Sequence, residues 1–514
     1  MKYLNYLLFL ILLIPTFLLR DYTPDNELRY LSIADEALRN NSFFTFYNHG
    51  VVYADKPPLY LWLIMLGKFV FGMNSMLYLS LLSLIPTLVI LIVMDKWITP
   101  EVKEKHRVSF QLMLLSTVYY IGSGVVLRMD MMMTMFIVLA LYTFYKMYTG
   151  QAGKYSSLAF PVYIFLAIFT KGPVGILVPL FSVVVFLLVQ GKIKTFGRYW
   201  EIKTWGVLLV GCTVWFSLVY AEGGKEYLNN LLFNQTVNRA IDSFHHKRPF
   251  YYYFVSIWYV LAPWSLLYIG VILTAIRFKR INTDMERLFL TVSGVTLIML
   301  SSFSSKVDIY LLPSLPFFAG LTILMIQKRG QGMFVKWLIV IPVSLITLAA
   351  PVVLILICFS KYNIPSNPFI YIALSALFLT GLISLYQILK NQNFNRSVNV
   401  FSYGLILTVF TASLALPVLN EQIGYGELCK AGIQLAEKTP EKKYFMYNLS
   451  RGENIDVYLK KEVIKVSNKN IENWNIGKGI LFYRTQDVNE NEFLKKLVTG
   501  KEHISKGNYT VVLL

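Results

Sequence analysis

The sequence predicts a mainly α-helical protein that crosses a membrane many times and ends in a small α/β domain. Of its 514 residues, 56% are hydrophobic and only 15% are charged, too little charge to cover a soluble protein of that length. Apolar runs recur along most of the chain, and the composition changes abruptly after residue 420. Cytosolic, disordered and disulfide-scaffold classes are therefore excluded.

The apolar runs predict about thirteen transmembrane helices, since about 20 apolar residues cross the hydrocarbon core of a bilayer. The first run lacks a small-residue cleavage site before Arg20 and Asp21, so we expect a retained span rather than a signal peptide. The runs lie near residues 3–19, 75–94, 108–125, 131–148, 156–170, 174–190, 206–220, 251–276, 288–303, 309–326, 337–359, 368–389 and 400–418.

The short basic loops set the orientation. Loops 95–107, 191–205, 277–287 and 327–336 are rich in Lys and Arg, which places them in the cytoplasm. This orientation requires the stretch 57–71 to lie along the outer membrane surface without crossing it. The sequence therefore predicts a transmembrane domain over residues 1–419, with outer loops at 20–74 and 221–250.

The tail, residues 420–514, is expected to form a small extracytoplasmic α/β domain. It contains the strand-like runs KYFMYNL, IDVYLKKEVIKV, GILFYR and NYTVVLL, preceded by the helix-like GELCKAGIQLAEK. We identify no catalytic pattern in it.

The first outer loop carries acidic residues that could serve catalysis. Asp25, Glu27 and Arg29 precede an amphipathic stretch, and a carboxylate at the mouth of a membrane bundle can act as the general base of a transferase. Acidic residues that stabilise a helix N-terminus are the alternative. In YADKPP, Lys56 is held rigidly by Pro57 and could bind a lipid phosphate, directly or through a cation on Asp55. A snorkelling interfacial lysine is the alternative there.

Further charges stand at the outer ends of predicted spans, where an ionisable residue is a functional candidate by default. The fourth outer loop adds a basic cluster before an aromatic belt, as suits an anionic lipid headgroup. Interhelical ion pairs and interfacial charge are the structural alternatives. The residues concerned are Arg128, Asp130, Lys171, Lys306 and Tyr310 at the junctions, and Arg239, His245, His246, Lys247 and Arg248 in the loop.

Several expected motifs are missing from the sequence. It has no Walker loop, no glycine-rich dinucleotide turn, no H-E-x-x-H and no G-x-S-x-G. Any reaction therefore needs a donor that is already activated. The net charge of +19 is divided among membrane loops, so we expect no nucleic-acid partner.

The ordered motifs resemble one known family. Acidic residues before R-Y, then Y-x-D-K-P-P-L-Y-x-W, R-x-D, T-K-G-P, H-H-x-R-P-F-x-Y-Y and S-K-x-x-x-Y-L-L-P occur in this order between Asp21 and Pro316. This resembles the bacterial GT-C glycosyltransferases, in the branch that contains the aminoarabinose transferase of lipid A and relatives of the protein O-mannosyltransferases.

The resemblance implies an inverting transfer from a polyprenyl (undecaprenyl) phosphate sugar at the outer face of the bacterial inner membrane. It implies that Asp25 is the acceptor-activating base, with Glu27 beside it and Asp130 as a second acid. The donor phosphate would be bound by Lys56, Arg239 and Tyr310, with Arg29 and Tyr30 nearby. The remaining cavity residues would be Tyr53, Asp55, Arg128, Lys171, His245, His246 and Lys306.

Two departures from the family pattern keep alternatives open. The family motif is D-E-x-R-Y, whereas Asn26 separates Asp25 from Glu27 in this chain. Either Asp25 or Glu27 could therefore be the base. Some relatives have a metal-binding histidine where this chain has Asn234, which leaves a divalent cation undecided, with Asp55 as the weak candidate ligand.

The acceptor is also open: lipid A or lipooligosaccharide, another surface glycan, or a protein hydroxyl. A transporter or flippase of lipid-linked sugars is the main alternative function, and it predicts broken helices paired across an internal repeat, which the sequence does not show. A scaffold for envelope assembly is a third.

Overall fold

The computed structural model describes residues 4–233, 247–329, 332–359, 367–439, 443–474 and 476–514. Up to residue 423 the described chain is a helical bundle. Its first half contains α1 (Leu4–Leu19), α2 (Arg29–Asn40), α3 (Leu59–Phe71), α4 (Met76–Ile98), α5 (Glu104–Leu115), α6 (Val118–Val125), α7 (Met129–Tyr148), α8 (Ser156–Lys171), α9 (Val174–Val189) and α10 (Ile202–Asn229). Its second half contains α11 (Tyr252–Val260), α12 (Ser265–Arg277), α13 (Asp284–Ser302), α14 (Leu315–Arg329), α15 (Met333–Phe359), α16 (Pro368–Leu389), α17 (Phe394–Ser413) and α18 (Leu416–Ile423).

The helical bundle confirms the predicted fold class of a polytopic membrane protein. Among the described residues, seven helices are long and apolar enough to cross a membrane, or up to eleven if each of four bent helix pairs is one span. The helices α3, α8 and α9 are apolar but shorter. The expected number of about thirteen crossings needs α8 and α9 to span as well, and it stays a prediction.

Aromatic packing holds the centre of the bundle. Trp97 of α4 is buried, and its ring meets Phe289 of α13 and Phe317 of α14 edge to face, at centroid distances of 5.0 and 5.9 Å. A Cβ on Gly320 would lie only 2.7 Å from the Phe289 ring, so glycine at this position permits the close approach of α13 and α14. This close packing fixes α4, α13 and α14 relative to one another.

The helices α2 and α3, which lie between α1 and α4 in the chain, pack against each other. The helix α2 is buried on all sides from Tyr30 to Ala37, including the polar Ser32, Asp35 and Glu36, so its expected amphipathic character stays a prediction. An ion pair between Asp35 of α2 and Lys68 of α3 ties these two helices together. That α3 lies on the membrane surface without crossing it stays a prediction.

The C-terminal chain forms a five-stranded mixed sheet, which confirms the small α/β unit. The strands are β3 (Tyr444–Tyr447), β4 (Val463–Lys465), β5 (Ile480–Arg484), β6 (His503–Lys506) and β7 (Tyr509–Leu513), in the order β4-β3-β5-β7-β6. β3 is parallel to both β4 and β5, whereas β7 is antiparallel to β5 and β6. The helices are α19 (Gly426–Ala436), α20 (Asp456–Leu459), α21 (Asn468–Glu472), α22 (Asp487–Glu490) and α23 (Glu492–Val498). A short two-stranded ribbon of β1 (Tyr47–Asn48) and β2 (Val51–Val52) lies in the first outer loop.

Three of the four runs predicted as strands contain strands, and the prediction for the fourth run is correct only for its second half. The first part of IDVYLKKEVIKV is the helical turn α20, which ends at Lys460 in the left-handed region (φ 53°), so only Val463–Lys465 pairs as a strand. The sequence also missed β6, whose polar side chains hide the strand pattern. The predicted boundary after residue 419 falls inside α18, and the division into two domains stays a prediction.

The C-terminal sheet unit is fixed to the outer end of α1 through Asp21. The Asp21 carboxylate accepts hydrogen bonds from the Gly426 N–H at 2.7 Å and from the Tyr458 hydroxyl. Asn420 bridges back to the backbone, accepting from the Asp21 N–H and donating to the Leu19 carbonyl. Burial, followed by the charge of Asp21, raises the pKa of Tyr458 well above its usual range, so this hydroxyl stays protonated and donates.

Candidate active site

A cavity of about 480 Å³ opens between α8, α9, α10 and the junction that follows α13. One end of it is polar and is formed by Asp55, Lys56, Lys171, Ser305 and Tyr310. The remainder is almost entirely apolar and is lined by Pro57, Ile168, Gly172, Pro173, Val174, Ile176, Leu177, Trp205, Leu208, Leu209, Cys212, Trp215, Phe216, Leu231, Leu232, Leu300 and Phe303. The cavity therefore joins an apolar channel to a small charged end.

An ion pair from two predicted junctions stands at the charged end. The Lys171 ammonium, at the C-terminal end of α8, pairs with the Asp130 carboxylate at the start of α7. Arg128 adds a second contact, with its Nε 3.4 Å from the other Asp130 oxygen. The Lys171 ammonium also lies 4.4 Å from the centre of the Tyr310 ring. Three junctions that are distant in sequence thus meet at one point, as the sequence predicts.

Lys56 approaches the same end from the first outer loop. Its ammonium lies 3.6 Å from a carboxylate oxygen of Asp55, and both side chains are largely buried. Pro57 and Pro58 follow directly and start α3, so the lysine is presented from a rigid turn. The positive field of Lys56 reaches Asp130 and Lys171, so the two lysines belong to one electrostatic cluster.

Arg29 and two tyrosines complete the described cluster. The Arg29 guanidinium lies over the Tyr30 ring at 5.7 Å and over the Tyr53 ring at 5.6 Å from the centroids. Its field also reaches Asp55. The structure therefore groups Arg29 with Tyr30 and Tyr53 near Asp55, but none of these three lines the cavity.

Glu27 is placed as a structural anchor. Its carboxylate is fully buried and pairs with Arg20 at the end of α1. It also accepts hydrogen bonds from the backbone N–H groups of Thr23 and Leu127, at 2.7 and 2.8 Å, and from the Thr23 hydroxyl at 2.9 Å. These contacts occupy both carboxylate oxygens and bind the outer turn to the junction before α7. Its role beside the base stays a prediction.

Asp25 lies two residues earlier in the same turn, and its side chain is exposed. Pro24–Leu28 is a π-helical turn in which the Leu28 N–H donates to the Thr23 carbonyl at 3.1 Å, five residues back. A π turn holds one more residue than an α turn, which accommodates Asn26 between the two acids. Asp25 is not among the residues that line the cavity. Burial raises the pKa of Tyr425 in the sheet unit, and the negative charge of Asp25 adds a smaller contribution in the same direction.

The other predicted residues are placed differently or lie outside the described ranges. The Lys306 ammonium is buried and donates to the backbone carbonyls of Arg248, at 3.1 Å, and Phe303, so it ties two loops together and does not line the cavity. Burial lowers the pKa of Lys306. Arg239, His245 and His246, together with Asn234, lie outside the described residues.

The sequence missed an acidic residue surrounded by tyrosines next to Tyr310. The Asp308 carboxylate accepts hydrogen bonds from the hydroxyls of Tyr252 and Tyr259, at 2.5 and 2.6 Å, and of Tyr119, at 3.2 Å. The aromatic run around Tyr252 was visible as an interfacial belt. Nothing in the sequence linked it to Tyr119, which is 189 positions from Asp308.

The predicted cation site at Asp55 is not completed by its described neighbours. In the part of the chain that the structure describes, no three His, Cys, Asp or Glu side chains come together so that they could hold a metal ion. Asp55 faces the Lys56 ammonium, a cation that competes with a metal for its oxygens. Among the described residues, the neighbours of Asp55 therefore do not fit a resident divalent cation.

Comparison with known proteins gives distant relatives along the sequence. No protein-family model matches the chain. An uncharacterized protein of Aquifex aeolicus is 24% identical over 455 residues, covering 86% of each chain. An undecaprenyl phosphate-alpha-4-amino-4-deoxy-L-arabinose arabinosyl transferase of Edwardsiella ictaluri is 25% identical, covering 71% of this chain and 68% of the relative. The enzyme of the same name from Serratia proteamaculans is 26% identical, covering 57% and 53%.

The fold has a solved counterpart over its whole length. The crystal structure of ArnT from Cupriavidus metallidurans bound to undecaprenyl phosphate superposes with a TM-score of 0.76 at 18% identity, covering 100% of this chain and 98% of ArnT. The apo structure of the same protein gives a TM-score of 0.73. The chain thus has the GT-C fold of ArnT, and the resemblance to the aminoarabinose transferase branch of the GT-C glycosyltransferases is confirmed.

Proposed function

We propose that the protein is an inverting glycosyltransferase. It moves a sugar from an undecaprenyl phosphate carrier to an acceptor at the outer face of the bacterial inner membrane. The observation that carries this proposal is the cavity, in which an apolar channel ends at Lys56, Lys171 and Tyr310. A polyprenyl phosphate likewise consists of a long apolar chain that ends in a charged phosphate. The names of the relatives and of the ArnT complex point to the same donor.

The apolar channel suits the isoprenoid chain of the donor. Its wall includes the large side chains of Trp205, Trp215 and Phe216. Burial of an isoprenoid against them removes apolar surface from contact with water or lipid headgroups, which favours binding. We infer that the channel binds the carrier and sets the depth at which its phosphate stops.

The cations then stabilise the leaving group. As the bond between the anomeric carbon and the phosphate oxygen breaks, its electron pair stays on that oxygen, and undecaprenyl phosphate departs with an added negative charge. Lys56 and Lys171 are positioned to stabilise that charge in a largely buried site, where a fixed ammonium is most effective. Arg239 remains a proposed third cation from the sequence resemblance.

The base must act on the other side of the sugar. An acceptor hydroxyl or amine attacks opposite the leaving phosphate, so its proton goes to a carboxylate remote from the phosphate-binding lysines. Asp55 and Asp130 are each paired with one of those lysines, and Glu27 is saturated by hydrogen bonds. We therefore assign the proton transfer to Asp25, which is exposed in the turn Pro24–Leu28.

The acceptor is proposed to be a lipid A-type glycolipid, in line with the aminoarabinose transferase relatives. Another surface glycan or a protein hydroxyl would use the same chemistry. The four bent helix pairs are a feature that a transporter or flippase would share. A flippase, however, leaves both the donor bond and the acceptor unchanged.

The test is an assay on purified full-length protein in lipid nanodiscs, with an undecaprenyl-phosphate-linked aminoarabinose donor and lipid A. Release of undecaprenyl phosphate and labelling of lipid A are measured together. We expect Lys56→Ala and Asp25→Asn each to reduce transfer at least 100-fold, a loss of about 2.7 kcal/mol or more in transition-state stabilisation. Lys495→Ala and Glu437→Gln, at exposed positions of the sheet unit, are the matched controls. Full activity in both site variants would overturn the assigned roles.

A further inference from the structure

A second cavity lies in the C-terminal sheet unit, away from the channel. It has a volume of about 440 Å³ and lies at the carboxyl ends of the three parallel strands. β3 is followed by Asn448, β4 by Asn468 and β5 by Asp487, and each of these three residues lines the cavity. β4 and β5 lie on opposite sides of β3. In open α/β sheets this is the switch point at which ligands bind.

A buried carboxylate oxygen in this cavity lacks a hydrogen-bond donor. Asp487 is only 2% exposed, and its Oδ2 accepts a hydrogen bond from the Asn448 amide at 3.0 Å. Its Oδ1 is buried and accepts none from the described residues. Arg484 forms an ion pair with this oxygen, its Nε 3.8 Å away, which is too long for a hydrogen bond. A donor from a bound molecule would satisfy this oxygen, since buried polar atoms are almost always paired.

The amides around it are held in place. The Tyr447 hydroxyl donates to the Asn468 side-chain oxygen at 2.7 Å and accepts from the Asn491 amide at 3.0 Å. These contacts orient the amide groups before any ligand arrives. Phe493 also lines the cavity, and its ring is 49% exposed. An exposed ring beside oriented amides offers one apolar face and several hydrogen-bonding groups.

The chemistry of the lining selects the class of ligand. Carboxylates accept hydrogen bonds from hydroxyl and ammonium groups, whereas amides both donate and accept. Glu472, Glu490 and Glu492 line the cavity together with Asp487, and no Lys or Arg is among the described lining residues. Arg484 offsets the charge of Asp487, and the three glutamates leave an excess of negative charge that repels phosphates and carboxylates. A divalent cation is disfavoured because no three metal-binding side chains come together in the described ranges.

We propose that this cavity binds a saccharide without anionic groups, either neutral or amine-bearing. Its hydroxyls would donate to Asp487 and to the glutamates, and the C–H face of the sugar ring would lie on Phe493. The cavity opens on the face of the sheet that α21 and α23 cover, whereas Leu28 of the outer turn packs against the opposite face.

Binding is tested with fluorescently labelled full-length protein in nanodiscs on an array of immobilised oligosaccharides. The probes are neutral gluco- and manno-oligosaccharides, amine-bearing chitosan oligomers and oligogalacturonates. We expect binding to neutral or amine-bearing glycans and none to oligogalacturonates. Asp487→Asn, Glu490→Gln and Phe493→Ala should each weaken the binding at least tenfold. Glu490 and Phe493 are exposed, so these two variants report on the cavity even if Asp487→Asn unfolds the sheet unit.

Three results would overturn the proposal: no glycan bound, a preference for oligogalacturonates, or unchanged binding in Glu490→Gln and Phe493→Ala. Glu437→Gln, an exposed acid away from the cavity, is the control that should bind like the unmodified protein. The array reads binding without any transfer. Glycan binding without sugar transfer would contradict the proposed function alone, and transfer without glycan binding would contradict the saccharide cavity alone.

Discussion

Glu27→Gln tests whether Glu27 stabilises the outer turn while Asp25 is the proposed catalytic base. The substitution keeps the size of the side chain but removes the only carboxylate that the described structure pairs with Arg20, whose side chain is 7% exposed. The arginine charge then stays buried without a counter-charge. We expect a large loss of stability, because an uncompensated buried charge is costly whichever partner is removed.

The expected size follows from the contacts. Breaking a buried ion pair from one side costs about 3–5 kcal/mol. The glutamine oxygen can still accept one of the backbone hydrogen bonds from Thr23 and Leu127, but its NH₂ cannot accept the other, which adds about 1–3 kcal/mol. Asp25→Asn, two residues away and exposed, should change stability by less than about 0.5 kcal/mol.

The assay is unfolding of the purified protein in mixed micelles by increasing SDS, followed by tryptophan fluorescence, with sugar transfer measured on the same samples. Glu27→Gln should unfold at clearly lower SDS. Asp25→Asn should unfold at the same SDS concentration as the unmodified protein while losing transfer. An unchanged midpoint for Glu27→Gln, or a stable variant that has lost only catalysis, would refute the assignment of Glu27 as the anchor.

Three further outcomes are expected. Lys171→Met should destabilise the protein by about 3 kcal/mol, because it leaves the buried Asp130 without its lysine, and adding Asp130→Asn should restore much of that stability in the same SDS titration. Cys212→Trp should fill the apolar channel, so that transfer from a donor with a full-length isoprenoid falls more than transfer from a short-chain donor, as measured by their KM values. Burial raises the pKa of Asp456, so the folded protein binds this proton more tightly than the unfolded chain does. The contribution of protonated Asp456 to the free energy of unfolding should therefore fall as the pH rises from about 4 through the raised pKa. Asp456→Asn should remove this pH dependence of the melting temperature between pH 4 and 7.

Helical architecture and the converging junctions could be predicted because each rests on local signals. Apolar runs and basic loops define spans without reference to contacts. Charges at the ends of spans on one side must share one face of the membrane. That reasoning predicts that Lys56, Asp130, Lys171 and Tyr310 lie together. In the structure Lys56, Lys171 and Tyr310 line one cavity, and Asp130 pairs with Lys171 beside it.

The difference between Asp25 and Glu27 could not be predicted from the sequence. Glu27 is fixed by Arg20 and by the Leu127 N–H, which is 100 positions away, and a π turn points the two acids in different directions. No spacing rule shows such long-range partners. The strand prediction over Asp456–Leu459 is wrong because a short apolar run fits the periodicity of a helix as well as that of a strand.

The most direct test of the central claim is a phosphorus measurement on the donor. In an undecaprenyl-phosphate-linked sugar the phosphate is a diester, and transfer of the sugar converts it to a monoester. Purified full-length protein incubated with the aminoarabinose donor and lipid A should give the ³¹P NMR signal of undecaprenyl phosphate, resolved from the phosphates of lipid A itself, and this signal should grow in step with modified lipid A. Lys56→Ala should form it at least 100-fold more slowly. A donor that remains entirely a diester in the presence of active, folded protein would contradict the account.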